Sequence, residues 1–261
     1  MGRNWGRLGI RVLNNAIFRP LGLRLQRLNA ASSEFEREQE LGLGQDLDRD
    51  LNNLIATKAP VVLDVGANVG QSIKAFREIW PDSRVISFEP DPRLAKRLRR
   101  NWDGIPGITI VEGAVSDRDS RQVLFQYADP AQNSLFDRDD RSWFQAEVTS
   151  SVDVECFTLD SYCSQHSIAH VDLLKADVQG AEFQVIQGAS GLLQSRLIDY
   201  VVLELTFGDS YDGAARPHKI FELMESHDYV LTATYVASEQ IQDTRLQWTN
   251  SLWRPRLPVE P

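Results

Sequence analysis

VVLDVGANVG, residues 61–70, is the stretch on which the fold turns. Val61 to Val65 form a short, nearly continuous apolar run of the kind a strand buried on both faces requires. The next residues carry two glycines, Gly66 and Gly70, around Ala67 and Asn68, and beyond them Ile73, Phe76, Ile79 and Trp80 recur at helical spacing. This reads as strand, tight turn and amphipathic helix. A turn of this kind needs glycine where the backbone takes conformations that a Cβ obstructs, or must approach a ligand closely.

The same rhythm continues outward. Residues 84–89 (RVISFE) read as a strand, a helix starts near Pro92 with Leu94, Leu98 and Trp102 on one side, and Ile108 to Val111 make a third strand. After an interruption it resumes with 171–176 (VDLLKA), a helix from about Ala181, the strand 200–205 (YVVLEL) and a helix from Pro217 to about His227. Two β-like runs, 229–236 and 245–253, close the chain. Strands alternating with helices imply parallel pairing and right-handed crossovers, hence a Rossmann-like α/β fold with a mostly parallel central sheet and helices on both faces. The interruption, 116–158, holds two β-like runs, 122–127 and 148–157, around DPAQNSLFDRDDRSWF. It reads as an inserted β-hairpin with a long surface loop, and that loop is the candidate substrate cover.

Composition narrows the function. With 28 Lys and Arg against 37 Asp and Glu, the 261-residue chain carries −9 and is a poor general nucleic-acid binder. Cys156 and Cys163 match no zinc spacing and read as ordinary thiols. No apolar run reaches the ~18 residues that a membrane span needs. The first 29 residues hold six arginines (Arg3, Arg7, Arg11, Arg19, Arg24, Arg27) and no acidic residue; taking those six charges from −9 leaves −15 on the rest. That segment reads as a helix packed on the domain, with peripheral membrane contact through its apolar residues as the alternative; Pro20 and Gly22 favour the first. Residues 1–56 are therefore expected to form a basic, then acidic, helical appendage, and residues 57–261 the catalytic domain of a cytoplasmic protein. Oligomeric state is not readable.

The chemistry follows from residue types at strand ends. A dinucleotide fingerprint would read GxGxxG, and Asn68 stands where its second glycine belongs, so pyrophosphate is disfavoured. Asp64, beside the turn, suits a ligand with a cationic amino group, as S-adenosylmethionine has. Glu89 ends the next strand about 20 residues on, where a carboxylate reads ribose hydroxyls. Lys175, Asp177 and Glu182 cluster at the end of a later strand, with Glu204 ending its neighbour. Asp177 is the first candidate for general base, Glu204 the second, and Lys175 belongs with them. Glu182 is assigned to the cofactor, the competing reading being a structural ion pair with Lys175. Asp177, Glu204 and one of His166, His170, His218 and His227 offer donors for a divalent cation, but no ligand motif supports one and no metal site is expected. The basic run RLAKRLRR at 93–100 falls on the outer face of its helix and reads as solvated.

Several separated motifs carry a family resemblance over roughly residues 60–255: LDVGANVG, FEPDPRLAKRLRRN, EGAVSD (112–117), TLDSY (158–162), LLKADVQGAEFQVIQGA (173–189), VVLELTF (201–207) and TNSLW (249–253). Together they resemble the FkbM-type methyltransferases, class I enzymes that use S-adenosylmethionine and often methylate hydroxyls of natural products and sugars. The resemblance implies that Asp64, Gly66, Asn68 and Gly70 border the methionine part, that Glu89 holds the ribose and that Ala114 lies near the adenine. It implies a small-molecule, sugar or glycan acceptor. One residue departs: the family usually carries Glu where Gln179 stands, so Gln179 is left out of the expected catalytic set. A nicotinamide-dependent oxidoreductase on the same sheet and a non-catalytic S-adenosylmethionine-binding module are the competing functions.

Overall fold

The computed structural model describes residues 42–140, 142, 147–208, 210–236, 241–242 and 245–257, the side chains of 241–245 excepted. The arginine-rich segment 1–29, with its membrane alternative, lies outside them. By internal contacts the chain divides after Leu43, and a second unit begins at Gly44.

Its centre is a seven-stranded sheet. In chain order the strands are β1 (Val61–Val65), β2 (Arg84–Glu89), β3 (Ile108–Glu112), β7 (Val171–Ala176), β8 (Ile198–Thr206), β9 (Tyr229–Tyr235) and β12 (Trp248–Pro255). Outside this sheet lie β4 (Ala114–Val115), β5 (Ser120–Gln126), β6 (Ser150–Phe157), β10 (Ile241–Gln242) and β11 (Arg245–Leu246). The spatial order is β3-β2-β1-β7-β8-β12-β9. Pairing is parallel from β3 through β8, and β12 runs antiparallel to both of its neighbours. The chain moves outward from β1 to β3 and then returns to β1's other side with β7. This reversal opens a crevice at the carboxyl ends of β1 and β7, where open α/β sheets bind ligands.

Among the described residues seven α-helices flank the sheet: α1 (Leu47–Leu54), α2 (Gln71–Ile79), α3 (Pro92–Trp102), α4 (Leu159–Gln165), α5 (Glu182–Gln187), α6 (Ser190–Gln194) and α7 (Pro217–Ser226). Successive strand residues point to opposite faces. Val62, Val85, Leu173, Val202 and Leu252 pack with Leu51, Ile73, Phe76 and Leu98 of α1–α3. Leu63, Ile86, Leu174, Val201 and Leu203 pack with Val185, Leu192, Ile220 and Met224 from the helices opposite. Apolar residues on both faces explain why β1, β7 and β8 read as continuous runs rather than alternating ones.

The inserted segment forms its own three-stranded sheet, in which β6 pairs antiparallel with β5 and parallel with β4. Between β5 and β6 the loop turns through a 3-10 helix, Pro130–Gln132. Cys156 and Cys163 are free and buried. Among the described residues no helix is long and apolar enough to cross a membrane.

The expected boundary at residue 57 falls inside this unit. Helix α1 is integral to the core: Leu51 and Ile55 are buried, and the fully buried carboxylate of Asp50 accepts from Gly44 N (2.8 Å) and from the Tyr235 hydroxyl of β9 (3.0 Å). Asp50→Ala leaves that hydroxyl buried without its acceptor and is expected to cost about 1–3 kcal/mol in chemical denaturation. A change within about 0.5 kcal/mol would return α1 to the status of an appendage.

Candidate active site

A cavity of about 430 Å³ opens at the carboxyl ends of β1, β2, β7 and β8. Its shape starts with Gly66, at φ +86°, whose built Cβ would sit 1.9 Å from the Asp177 carbonyl oxygen. Only a residue without a side chain lets these two strand ends touch. Asp177 N donates to Val65 O at 3.0 Å, and Gly66 and Ala67 both donate to Phe88 O, so β1, β2 and β7 deliver their turns to one place.

At one end stands Glu89, 4% exposed. One of its carboxylate oxygens accepts from Asn68 N (2.7 Å), the other from Asp91 N (2.8 Å). Burial pushes its pKa up to about 8 in spite of those two bonds. Gly66, Ala67, Asn68 and Ala114 line the same end, with Phe88, Val115 and Leu124 as apolar wall.

At the other end are Lys175, Asp177, Gln179, Glu204, Tyr211 and Trp248. The Lys175 ammonium lies 3.5 Å from Asp177 Oδ2 and 3.9 Å from Asp64 Oδ1. Burial opposes its charge, but the carboxylates of Asp177, Asp64 and Glu204 outweigh burial and hold it above the ordinary lysine range. Burial, reinforced by Asp177 and Glu182, holds Glu204 well above the usual carboxylate range, with Lys175 and Gln179 opposing. Gln179 Nε2 donates to Asp177 Oδ1 and to Glu204 Oε2, each at 2.9 Å.

Three of the residues expected on the cofactor do not reach the cavity wall. Asp64 is fully buried within the sheet on the α1–α3 face, bonded by Ser87 Oγ (3.0 Å) and facing Lys175, its register partner on β7. The cation opposite its carboxylate is supplied by the chain itself. Gly70, at φ +95°, starts α2 and lies under Leu98 and Trp102, where a Cβ would be 3.0 Å from each. Glu182 is 2% exposed and spends its carboxylate on the backbone N–H groups of Val178 (2.9 Å) and Gly180 (3.1 Å), closing the turn after β7. Among the described ion pairs Lys175 meets Asp64 and Asp177, so the anticipated Glu182–Lys175 pair is replaced.

No histidine is among the described lining residues. The one described His and Asp grouping close enough to share an ion, His170 with Asp172 and Asp199, lies at the amino ends of β7 and β8, away from the cavity.

The loop expected to cover the substrate does line the cavity, from Asp129 to Leu135. It is tied down at several points: Ser134 Oγ donates to Gln179 O (2.6 Å), Asn133 Nδ2 to the buried Asp91 (3.1 Å), and the Tyr211 hydroxyl to Gln132 O (3.1 Å). Sequence reading passed over Gln179, Tyr211, Trp248 and Asn133. Only Gln179 carried a signal, its place inside ADVQGAE.

The model of the Methyltransferase FkbM domain matches residues 64–231, more than half of the chain. The chain belongs to the FkbM methyltransferases. This membership removes the oxidoreductase alternative. Among similar proteins, 2-O-methyltransferase NoeI of Sinorhizobium fredii is 29% identical over 191 residues, covering 70% of this chain and 78% of that one. Hexuronic acid methyltransferase AglP of Haloferax volcanii is 25% identical over 189 residues, covering 69% and 72%. Among solved structures, Aeropyrum pernix fibrillarin with bound S-adenosyl-L-methionine aligns with a TM-score of 0.45 at 12% identity, covering 84% of this chain and 74% of that one.

Glu89 provides a stability test. Its proton is held more tightly in the folded than in the unfolded chain, so its contribution is full below about pH 4.5 and is lost as pH rises through about 8. Glu89→Gln, which cannot ionise, is expected to melt above the wild type at pH 8.5 and close to it at pH 4.5 in thermal scans without ligand. Equal melting differences at the two pH values would contradict the assignment.

Proposed function

We propose that this methyltransferase moves the methyl group of S-adenosylmethionine to a hydroxyl of a sugar or glycan, with Glu89 holding the cofactor and Glu204 and Asp177 receiving the acceptor. The observation that carries this reading is the division of one cavity into a ribose-type end at Glu89 and a carboxylate-rich end at Glu204 and Asp177. The residues at the first end fit the cofactor: a buried carboxylate whose two oxygens each accept one backbone N–H keeps lone pairs for two ribose hydroxyls, and the apolar wall around Ala114 suits an adenine ring. S-adenosylmethionine, when bound, supplies a methyl group on a positively charged sulfur.

The protein's own residues do the rest. Transfer to an alcohol requires the acceptor oxygen to be aligned and its proton removed. Glu204, with its raised proton affinity, is suited to take that proton once ionised. Asp177 accepts hydrogen bonds from the acceptor, and Lys175 offsets the negative charge that gathers there. Trp248 and Tyr211 offer flat apolar faces beside these polar groups, a combination that matches a sugar ring with its hydroxyls. The names of two similar proteins, a 2-O-methyltransferase and a hexuronic acid methyltransferase, support the same acceptor class.

Lys175 is the sole basic residue among the described lining residues, which favours a neutral or hydroxyl-bearing acceptor over a nucleic acid. The Lys175 ammonium also takes the place between Asp64 and Asp177 that a divalent cation would need, so transfer is expected to proceed at an unchanged rate in EDTA.

Calorimetric titration with S-adenosylhomocysteine tests the cofactor half. Wild type is expected to bind, and Glu89→Ala to lose about 100-fold, the scale of charge-assisted hydrogen bonds worth about 1.5–3 kcal/mol each. Binding draws on the ionised carboxylate, so affinity should weaken by up to about tenfold per pH unit below about 8 in the wild type and stay flat in Glu89→Gln. A well-folded wild type that does not bind overturns the proposal.

The acceptor half is tested by radiolabelled transfer to a panel of hexosides and hexuronides. Glu204→Gln is expected to lower kcat by about 100-fold or more while leaving cofactor affinity within about twofold. Full activity in Glu204→Gln would remove it from the proton path.

A further inference from the structure

Gln179 stands in a conformation that its residue type does not favour. Its φ is +55°, in the left-handed region where glycine and asparagine are at home, and it is followed at once by Gly180 at φ +100°. The strain is held in place by bonds at both ends of the residue. The backbone carbonyl accepts from Ser134 Oγ at 2.6 Å, and the side-chain oxygen Oε1 lies 3.0 Å from the Tyr211 hydroxyl, whose single hydrogen it shares with Gln132 O. The amide nitrogen then has a single orientation open to it. Its two hydrogens meet Asp177 Oδ1 and Glu204 Oε2, each at 2.9 Å. When ionised, the two carboxylates accept only, so they take the N–H end of the carboxamide.

We propose that Gln179 is a positioning residue whose carboxamide, oriented by Tyr211, yokes the Asp177 and Glu204 carboxylates into one proton-accepting pair. This rests on the reading of the acceptor end given above. Without the amide the two carboxylates have no shared donor among the described residues, since of the two Lys175 lies within hydrogen-bonding reach of Asp177. With it, Glu204 gains a hydrogen bond that favours its ionised form, and both carboxylates are held in the cavity wall at a fixed spacing. Neutrality matters as much as geometry. A glutamate at position 179 would put a third acid beside the pair, and the cluster would have to retain another proton to stay together.

The charged and titratable groups facing Glu204 are Lys175 from β7, Asp177 from the turn beyond it, Glu182 from the start of α5 and Tyr211 from the segment after β8. Of these, Asp177 and Glu182 oppose its ionisation and Lys175 supports it. Gln179 bridges the strand ends of β7 and β8 and is the remaining group on the supporting side.

The test follows the carboxyl proton directly and needs no acceptor. Infrared difference titration of the free full-length enzyme reports the protonated carboxyl band of Glu204, assigned by its loss in Glu204→Gln. Gln179→Met keeps the size of the side chain and removes its donors, and is expected to move the Glu204 midpoint up by about one pH unit. Gln179→Glu is expected to move it further in the same direction. Tyr211→Phe keeps Gln179 and releases its oxygen, so a smaller upward shift is expected there, and this variant carries the test if Gln179→Met fails to fold.

Calorimetry with S-adenosylhomocysteine on the same samples is expected to give affinities within about twofold of wild type. An unchanged Glu204 midpoint in folded Gln179→Met and Gln179→Glu would overturn the proposal. Failure of the wild type itself to bind S-adenosylhomocysteine would instead overturn the reading of function, whatever the midpoints.

Discussion

The backbone contact between Gly66 and Asp177 is the constraint on which the rest of the site depends. Two adjacent parallel strands leave the sheet in opposite directions at this point, and their turns pass close enough that a single methyl group would lie 1.9 Å from a carbonyl oxygen. That approach lets Asp177 bond back to Val65 and lets the first turn bond to Phe88, so three strand ends are locked together. Everything that faces the cavity is referenced to this lock: Asn68 and, through it, Glu89 on one side, and Asp177, Gln179 and Glu204 on the other. The topological reversal of the sheet supplies the crevice, and the glycine makes it narrow.

Strand alternation sets the electrostatics. The parity that sends Val62, Val85, Leu173 and Val202 to the α1–α3 face sends Asp64, Ser87, Lys175 and Glu204 to the same face, one step nearer the carboxyl ends. A polar row of Ser87, Asp64 and Lys175 therefore crosses three neighbouring strands under the cavity, with Glu204 one step beyond it on β8. Its single cation, Lys175, faces the carboxylates of Asp64 and Asp177. Burial and mutual repulsion leave Glu89, Glu182 and Glu204 all holding protons more tightly than free carboxyls do. Glu182 relieves this by accepting backbone N–H groups, Glu89 by the same means, and Glu204 through the Gln179 amide. A cavity so furnished gathers several carboxyl groups around one basic side chain among its described lining residues.

The inserted sheet has a second part. It reaches the cavity with the segment 129–135 and is anchored through Asp91, which also caps α3 and accepts from Gln126 and Asn133. The cavity wall formed by 129–135 is thus fastened to the same turn that follows Glu89, and it is pinned through one buried carboxylate.

Sequence alone determined the order of the main sheet's strands and the position of the first turn, and set Glu89, Asp177 and Glu204 as candidates at strand ends, because each depends on local rules: apolar runs, helical spacing, glycine in a tight turn and acids at strand ends. It also assigned Asp64, Gly70 and Glu182 to a ligand, and there it went wrong about geometry, since whether an acid at a strand end faces a cavity, a buried lysine or backbone N–H groups is settled by strand register and turn closure. Helix α1 was set apart for a similar reason: its partner, Tyr235, lies far along the chain, on a strand that only the folded sheet brings beside it. Gln179, Tyr211, Trp248 and Asn133 come from three separate loops and a strand start, with no spacing that links them. Only the tertiary structure made them one site, because hydrogen bonds between side chains that distant in sequence exist only once the sheet has brought the loops together.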